Sequence, residues 1–254
     1  MILQFVLFGM ASLAAPGTVG RLTPDVGRVA GDPLAYKAYD KDEARRVHYE
    51  FGECVVKRRP KQAEAYVLSP ILKGEAREKL SAKMELGDCL SDVVGENFAD
   101  VMMQFPGDTL SYSLAEPLVR RSYGIAPITD FKGVSPLGHR TFEEKDFAKL
   151  VKSAKSKVVE DAKAAARGAI FLSRFGECVV RTDPANSFAL VMAEPGSIED
   201  KSRMGALTGT LGACVPQGHT LSFDRMLIRG TIAVNYFRLA AAARSAKAST
   251  GAVN

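Results

Sequence analysis

Residues Phe51-Gly52-Glu53-Cys54-Val55-Val56 recur without change as Phe175-Gly176-Glu177-Cys178-Val179-Val180. An identity of this length inside one chain does not arise by chance, and it continues. A basic residue follows each copy (Lys57, Arg181), and then a proline at the same distance from the Cys (Pro60, Pro184). Leu86-Gly87-Asp88-Cys89 matches Leu211-Gly212-Ala213-Cys214, with the interval between the two Cys one residue longer in the second copy. Further on, Thr109-Leu110-Ser111-Tyr112 answers Thr220-Leu221-Ser222-Phe223, and the first copy carries extra residues before that point, from about Ser91 to Gln104. The chain reads as two copies of one unit of roughly 80 to 100 residues, a finding about architecture rather than chemistry.

Periodicity makes the units helical. From Phe147 the apolar residues Leu150, Val151, Ala154, Val158, Ala162, Ala165, Ala169 and Leu172 keep to one helix face. Thr141-Phe142-Glu143-Glu144 has the form of a capping box in front of it. Ser197-Ile198-Glu199-Asp200 opens another helix, expected to run to about Cys214, and Asp40 is placed to cap one carrying Ala44, Val47, Phe51, Cys54 and Val55. Both Cys-bearing helices should stop just before Pro60 and Pro184, because proline bars the helical region to the residue preceding it. A last helix begins near Asp224 and buries Leu227, Ile228, Ile232, Tyr236 and Leu239. Gly52 and Gly176 fall in mid-helix, where each costs about 1 kcal/mol relative to Ala, so a helix crossing closely over them is expected. Gly205, Gly209 and Gly212 have small-x-x-x-small spacing and read as a second close-packing stripe. The Thr-Leu-Ser-aromatic segments are the strand-like or loop-like pieces. The expected fold is all-α: two tandem disulfide-stapled helical units related by internal duplication.

The ends of the chain bear on compartment. Ile2 to Ala15 is an apolar run broken only by Gln4, Gly9 and Ser12. It is shorter than the ~20 residues that span a bilayer. It has the size of a signal-peptide core, and Ser12 and Ala14 satisfy the small-x-small rule for cleavage after Ala14. No Lys or Arg precedes it, which departs from an ordinary leader, and the other reading is a buried first helix of a cytosolic protein. The organisation expected is a signal peptide over 1–14, an extended linker over 15–39, unit one over 40–123, a Pro/Gly-rich connector over 124–140, unit two over 141–243 and a disordered tail over 244–254. The four Cys (Cys54, Cys89, Cys178, Cys214) include no C-x-x-C, which excludes a zinc ribbon, a thioredoxin-type motif and a c-type haem site. In an oxidising compartment they form two disulfides; in the cytosol they are buried thiols. Three connectivities are open. Pairing Cys54 with Cys89 and Cys178 with Cys214 is preferred, because an ancestral single unit had only those two Cys to join. Each closure stabilises by about 3 to 4 kcal/mol in the chain-entropy model.

At the Phe-Gly-Glu-Cys-Val-Val and Leu-Gly-x-Cys pairs the chain resembles small exported bacterial proteins of unknown function, built from one or two copies of a Cys-paired helical unit. The resemblance covers His48 to Tyr123 and Arg174 to Leu239. It implies an exported, disulfide-bonded protein and brings no activity and no site residue.

Candidate chemistry is sparse. With 46% hydrophobic, 25% charged and 8% aromatic residues the chain is an ordinary globular protein, neither disordered nor fibrous nor polytopic. A net charge of +5 is a mild excess, so nucleic acid is not an expected partner. His48, His139 and His219 lie in separate segments and form no metal-binding pattern. No G-x-S-x-G, S-x-x-K, Walker A or G-x-G-x-x-G motif occurs, so neither a cofactor nor a catalytic residue is assigned. Glu53 and Glu177 could serve as a general acid and base pair, although Lys57 and Arg181 stand at i+4, the favourable order for helix-surface ion pairs. Lys149, Lys152, Lys155, Lys163 and Arg167 are weak candidates for an anionic surface such as lipid or cell-wall polymer, against the plainer reading of a solvated helix face. The function expected is that of a non-enzymatic, periplasmic or secreted binding or scaffold protein of the bacterial cell envelope. It would use the groove between its units to meet an envelope protein or polymer, with no integral membrane span once the leader is removed. The alternatives are an envelope hydrolase working through Glu53 and Glu177, and an anionic-surface binder working through helix 145–167.

Overall fold

The computed structural model describes residues 22–23, 41–69, 75–94, 102–103, 109–217 and 224–251. The segments expected to be a leader and, for the most part, a linker lie outside them, as do Asp40 and His219. Helix α1 (Lys41–Arg58) turns at Arg59 into α2 (Pro60–Leu68), and α3 (Glu75–Ala82), α4 (Leu86–Val94) and α5 (Thr109–Tyr123) follow. The connector runs without helix to a 3-10 turn at Glu144–Phe147. Then come α6 (Ala148–Ser153), α7 (Ser156–Thr182), α8 (Pro184–Met192), α9 (Ile198–Ala206), α10 (Thr208–Ala213) and α11 (Arg225–Gly251). The one strand pairing among the described residues is antiparallel and two residues long, β1 (Leu22–Thr23) against β2 (Met102–Met103).

The breaks fall where proline requires them: Pro60 and Pro184 each open the helix after a Cys-bearing one. Asp183 caps α8 by accepting the Asn186 N–H at 3.1 Å. Two disulfides form, Cys54–Cys89 joining α1 to α4 and Cys178–Cys214 joining α7 to the end of α10.

The core is built around α5 and α11, which pack on each other, with α1 lying on α5 and α7 on α11. Leu110, Leu114, Leu118 and Val119 are buried on α5, and α11 is buried at every position from Arg229 to Ala240. Glycine sets the closeness of these crossings. A Cβ on Gly52 would stand 1.9 Å from the Ser113 carbonyl oxygen, and one on Gly176 would stand 2.3 Å from Thr231 Cγ2. One on Gly230 would meet the Tyr112 Cβ at 2.4 Å, so α5 and α11 also touch through a glycine.

Several sequence expectations change. Thr109 to Tyr112 is the first turn of α5, not a strand, and is wholly buried; its counterpart at 220–223 lies outside the described residues. The helix expected from Phe147 is interrupted at Ala154 and Lys155, and Thr141 Oγ1 bonds to Glu143 Oε1 at 3.3 Å instead of capping a helix amide. Ser197 does cap its helix, accepting Asp200 N–H at 3.0 Å, but α9 ends at Ala206 and α10 begins after Leu207. Gly205, Gly209 and Gly212 face open space, so their spacing marks no crossing. The tail assigned to 244–254 is helical as far as Gly251. Its alanines, the best helix formers, prolong α11 without an apolar face to bury.

Candidate functional site

Arg229 sits where α11 is buried at every position from Arg229 to Ala240, which would strand an unpartnered guanidinium, and its neighbours answer that need. Its Nε donates to Glu116 Oε1 on α5 at 2.7 Å and its Nη1 to Asp200 Oδ1 on α9 at 2.7 Å. Its Nη2 donates to the carbonyls of Val191 (3.1 Å) and Ala193 (2.6 Å) at the end of α8. Arg120 of α5 donates to the same two carbonyls at 3.1 and 2.7 Å. Two cations thus meet the negative end of the α8 dipole and satisfy carbonyls that the helix leaves without partners. Burial opposes the charge on Arg229, but Glu116 and Asp200 outweigh it and hold its pKa above the ordinary arginine value.

This network floors an open cleft of about 40 Å³ between α1, α5, α9 and α11, with His48, Tyr49, Glu116, Arg225 and Met226 in its lining. Glu116 is 8% exposed, and among the described residues its Oε2 accepts no hydrogen bond. Arg225 is exposed at the rim. Tyr49 presents its ring, since its hydroxyl donates to Glu53 Oε1 at 2.5 Å. Burial and that bond raise the Tyr49 pKa above the ordinary phenol. His48 is 2% exposed, its Nδ1 lying 3.4 Å from Ser113 Oγ.

Burial lowers the His48 pKa from 6.5 to about 4. The unfolded chain therefore takes up this proton first as pH falls. The stability that neutral His48 contributes is complete above about 6.5 and is lost between there and about 4. An NMR titration of the imidazole should give a midpoint near 4, and His48→Gln should flatten the decline of stability across that window. A midpoint near 6.5 would place the ring in water.

A second polar cluster lies on α7. His139 Nδ1 is 2.8 Å from Ser173 Oγ and its Nε2 is 2.6 Å from Glu177 Oε2. Glu177 Oε1 accepts from Leu137 N–H (3.0 Å) and Arg181 Nε (2.7 Å). Burial works against the charge on Glu177, and the Leu137 N–H, His139 and Arg181 overcome it, so its carboxyl stays below the usual range. Arg181 also reaches the carbonyls of Val134 (3.1 Å) and Ser135 (2.8 Å). The order Ser–His–Glu is that of a hydrolase relay. Ser173, however, opens on a cavity of about 20 Å³, room for about one water and not for an acyl group. These bonds lash the connector to α7.

The other candidates disperse. Glu53 is exposed and bonded to Tyr49, whereas Glu177 is buried under the connector, so they share no partner. The expected i,i+4 pair forms at Glu177–Arg181. Along the basic segment, Lys163 is held by Glu144 (2.8 Å) and Glu160 (3.3 Å). Arg167 lies over the Phe142 ring at 4.4 Å, while Lys152 and Lys155 are exposed. Lys149 is on α6, its side chain outside the description. Among the described residues no group of His, Cys, Asp and Glu could hold a metal ion, and no helix is long and apolar enough to cross a membrane. The Arg229 network escaped the sequence reading because its members come from separate helices; the signal available was Arg229, with Arg238, among the apolar residues that the last helix was expected to bury. No protein-family model, no curated protein and no solved structure matches this chain.

Proposed function

We propose that the protein is an exported binding module of the bacterial cell envelope, built by internal duplication, which takes its ligand in the cleft over Arg229. One observation carries this reading: of the two cavities, only the cleft over Arg229 is lined by charged residues, and a register that follows the sequence repeat sets uncharged residues of the other against them. Aligning Gly52 with Gly176 and the residues they meet, Ser113 with Thr231, also aligns Ser113-Leu114-Ala115 and Arg120 with Thr231-Ile232-Ala233 and Arg238. In that register Ser111, Tyr112, Ser173 and Val234 of the small cavity correspond to Arg229, Gly230, Tyr49 and Glu116 of the cleft, and Val67 corresponds to Val191, whose carbonyl accepts from Arg229 beneath it. Leu172 corresponds to His48. A unit of this kind therefore packs with Ser, Val and Leu where the cleft has Arg, Glu and His. The framework does not call for the charged set, and that set lines an open cleft.

The leader-like run and the two disulfides support an oxidising compartment. Intact mass of protein made with its native N-terminus in an exporting host should show residues 1–14 removed, and an uncleaved chain would overturn export. For the cleft, a fragment library screened by ¹⁵N NMR should give shifts centred on Tyr49, Tyr112 and Met226. Hits centred on the basic segment 145–167, or no hits at the cleft, would overturn the reading.

A further inference from the structure

We infer that Cys178–Cys214 is a redox latch: a dithiol reductant opens it before Cys54–Cys89, and its opening frees α10 while the rest of the fold stays closed. This inference is independent of the cleft and rests on comparing the two disulfides, which the repeat sets in register. Aligning Cys54 with Cys178 puts Arg58 against Thr182, and aligning Cys89 with Cys214 puts Asp88 and Asp92 against Ala213 and Gln217. In the first unit these residues clamp α1 to α4 beside the disulfide. Arg58 holds Asp92 at 2.6 Å and Asp88 at 3.6 Å, and Arg59 holds Glu85. Helix α4 also buries Cys89 and packs Leu86, Leu90 and Val93 on the core. The second unit has a threonine, an alanine and a glutamine in the places of the clamp. Helix α10 contains no buried residue, and the bond from Cys214 is its covalent hold on α7.

Access differs in the same direction. Cys214 is half-buried at the end of α10, among exposed Gly212, Ala213 and Pro216, and the Thr182 hydroxyl lies 4.0 Å from its Sγ. A thiolate approaching the first disulfide finds Cys89 covered and the Asp92 carboxylate 3.9 Å from Cys54 Sγ. At the second, a thiolate of the reductant attacks Cys214 Sγ. The S–S bond breaks, and its electron pair leaves on Cys178, which takes up a proton. The reductant's second thiolate then attacks the reductant's own sulfur in the mixed disulfide. Cys214 leaves and is protonated, and the reductant departs as a disulfide, so two electrons and two protons have passed to the protein. Release stops at Leu207, which is wholly buried between α9 and α10, while Asp200 keeps α9 on Arg229 at 2.7 Å.

The test treats the folded full chain with dithiothreitol, alkylates at intervals and maps the peptides. Cys178 and Cys214 should be alkylated at least tenfold faster than Cys54 and Cys89. Hydrogen exchange is then read on protein that keeps only the first disulfide, and Cys178→Ala with Cys214→Ala supplies the same opened state genetically. Amides of 208–214 should exchange at least tenfold faster than in the parent, with those of 86–94 unchanged. Arg58→Thr with Asp88→Ala and Asp92→Gln gives the first unit the surroundings of the second, and it should speed reduction of Cys54–Cys89 at least threefold. Equal rates for the two disulfides, or Cys54–Cys89 opening first, would overturn the order of reduction. No gain in the triple variant would overturn the part given to the clamp. Unchanged exchange over 208–214 would mean that α10 is held without the bond, and faster exchange throughout the fold would mean that the bond staples the whole unit; either result overturns the latch.

Discussion

Arg229→Met should destabilise the protein by about 3–5 kcal/mol, because it leaves two buried carboxylates facing each other with no cation between them. Asp200 would keep the Gly196 N–H at 3.1 Å, and Glu116 would keep nothing among the bonds described. The carbonyls of Val191 and Ala193 would be left to Arg120 alone. Removing the acids as well should repair most of this. In Arg229→Met combined with Glu116→Val and Asp200→Asn, no buried charge lacks a partner, and stability should return to within roughly 1–2 kcal/mol of the parent, since an apolar replacement of a whole buried ion group is often neutral. Val is the residue that the proposed register puts in the uncharged cavity, at Val234. Urea unfolding of the single and triple variants measures both quantities. A single variant within about 1 kcal/mol of the parent would mean that Arg229 is hydrated and that the network is no floor to the cleft. A triple variant no more stable than the single would mean that the framework needs these charges, and the argument from the uncharged cavity would fail.

What the sequence made legible was whatever local chemistry or repetition could announce. Pro60 and Pro184 placed the helix breaks, Ser197 placed a cap, and the repeated Cys placed both disulfides. Gly52 and Gly176 announced the crossings, since glycine kept in mid-helix needs a reason in packing. The start of α5 was misread because Thr109-Leu110-Ser111-Tyr112 alternates like a strand, and only the contact with Gly230 reveals it as a buried helical turn. Its match with Thr220 to Phe223 differs from the register of Ser113 with Thr231 by about two helical turns. A slip of that size returns apolar residues to the same helix face, so hydrophobic pattern alone could not expose it. The site was less legible still. Glu116 beside Pro117 on α5 looks like any polar helix residue until α11 is laid across it. Arg229 was the readable clue: from Arg229 to Ala240 its helix is buried on all sides, and charge in such a helix requires a partner.

The crossings give the sharpest internal comparison. Gly168→Ala on α7 should stabilise the protein by about 0.5–1 kcal/mol, because its Cβ meets nothing within 4 Å and alanine is the better helix former. Gly176→Ala, on the same helix, carries the same gain in propensity and should nevertheless destabilise by about 2–3 kcal/mol. Its Cβ would lie 2.3 Å from Thr231 Cγ2 and 2.5 Å from Asn235 Nδ2, and moving those side chains still leaves the Thr231 carbonyl oxygen at 2.8 Å. Gly52→Ala should cost more, about 3 kcal/mol or above. The atom it meets at 1.9 Å is the Ser113 backbone oxygen, which no rotamer change can withdraw, so α1 would have to lift from α5. That lift strains the site as well as the core, because His48 and Tyr49 reach the cleft from α1. Gly52→Ala should therefore raise the His48 pKa from about 4 toward 6.5 as water enters, while Gly168→Ala leaves it in place. Thermal or urea unfolding of the three variants ranks them, and an imidazole titration of each reads the coupling. Equal effects at Gly168 and Gly176 would mean that α7 does not cross α11 where the structure has it, and an unmoved His48 in a destabilised Gly52→Ala would separate the crossing from the cleft.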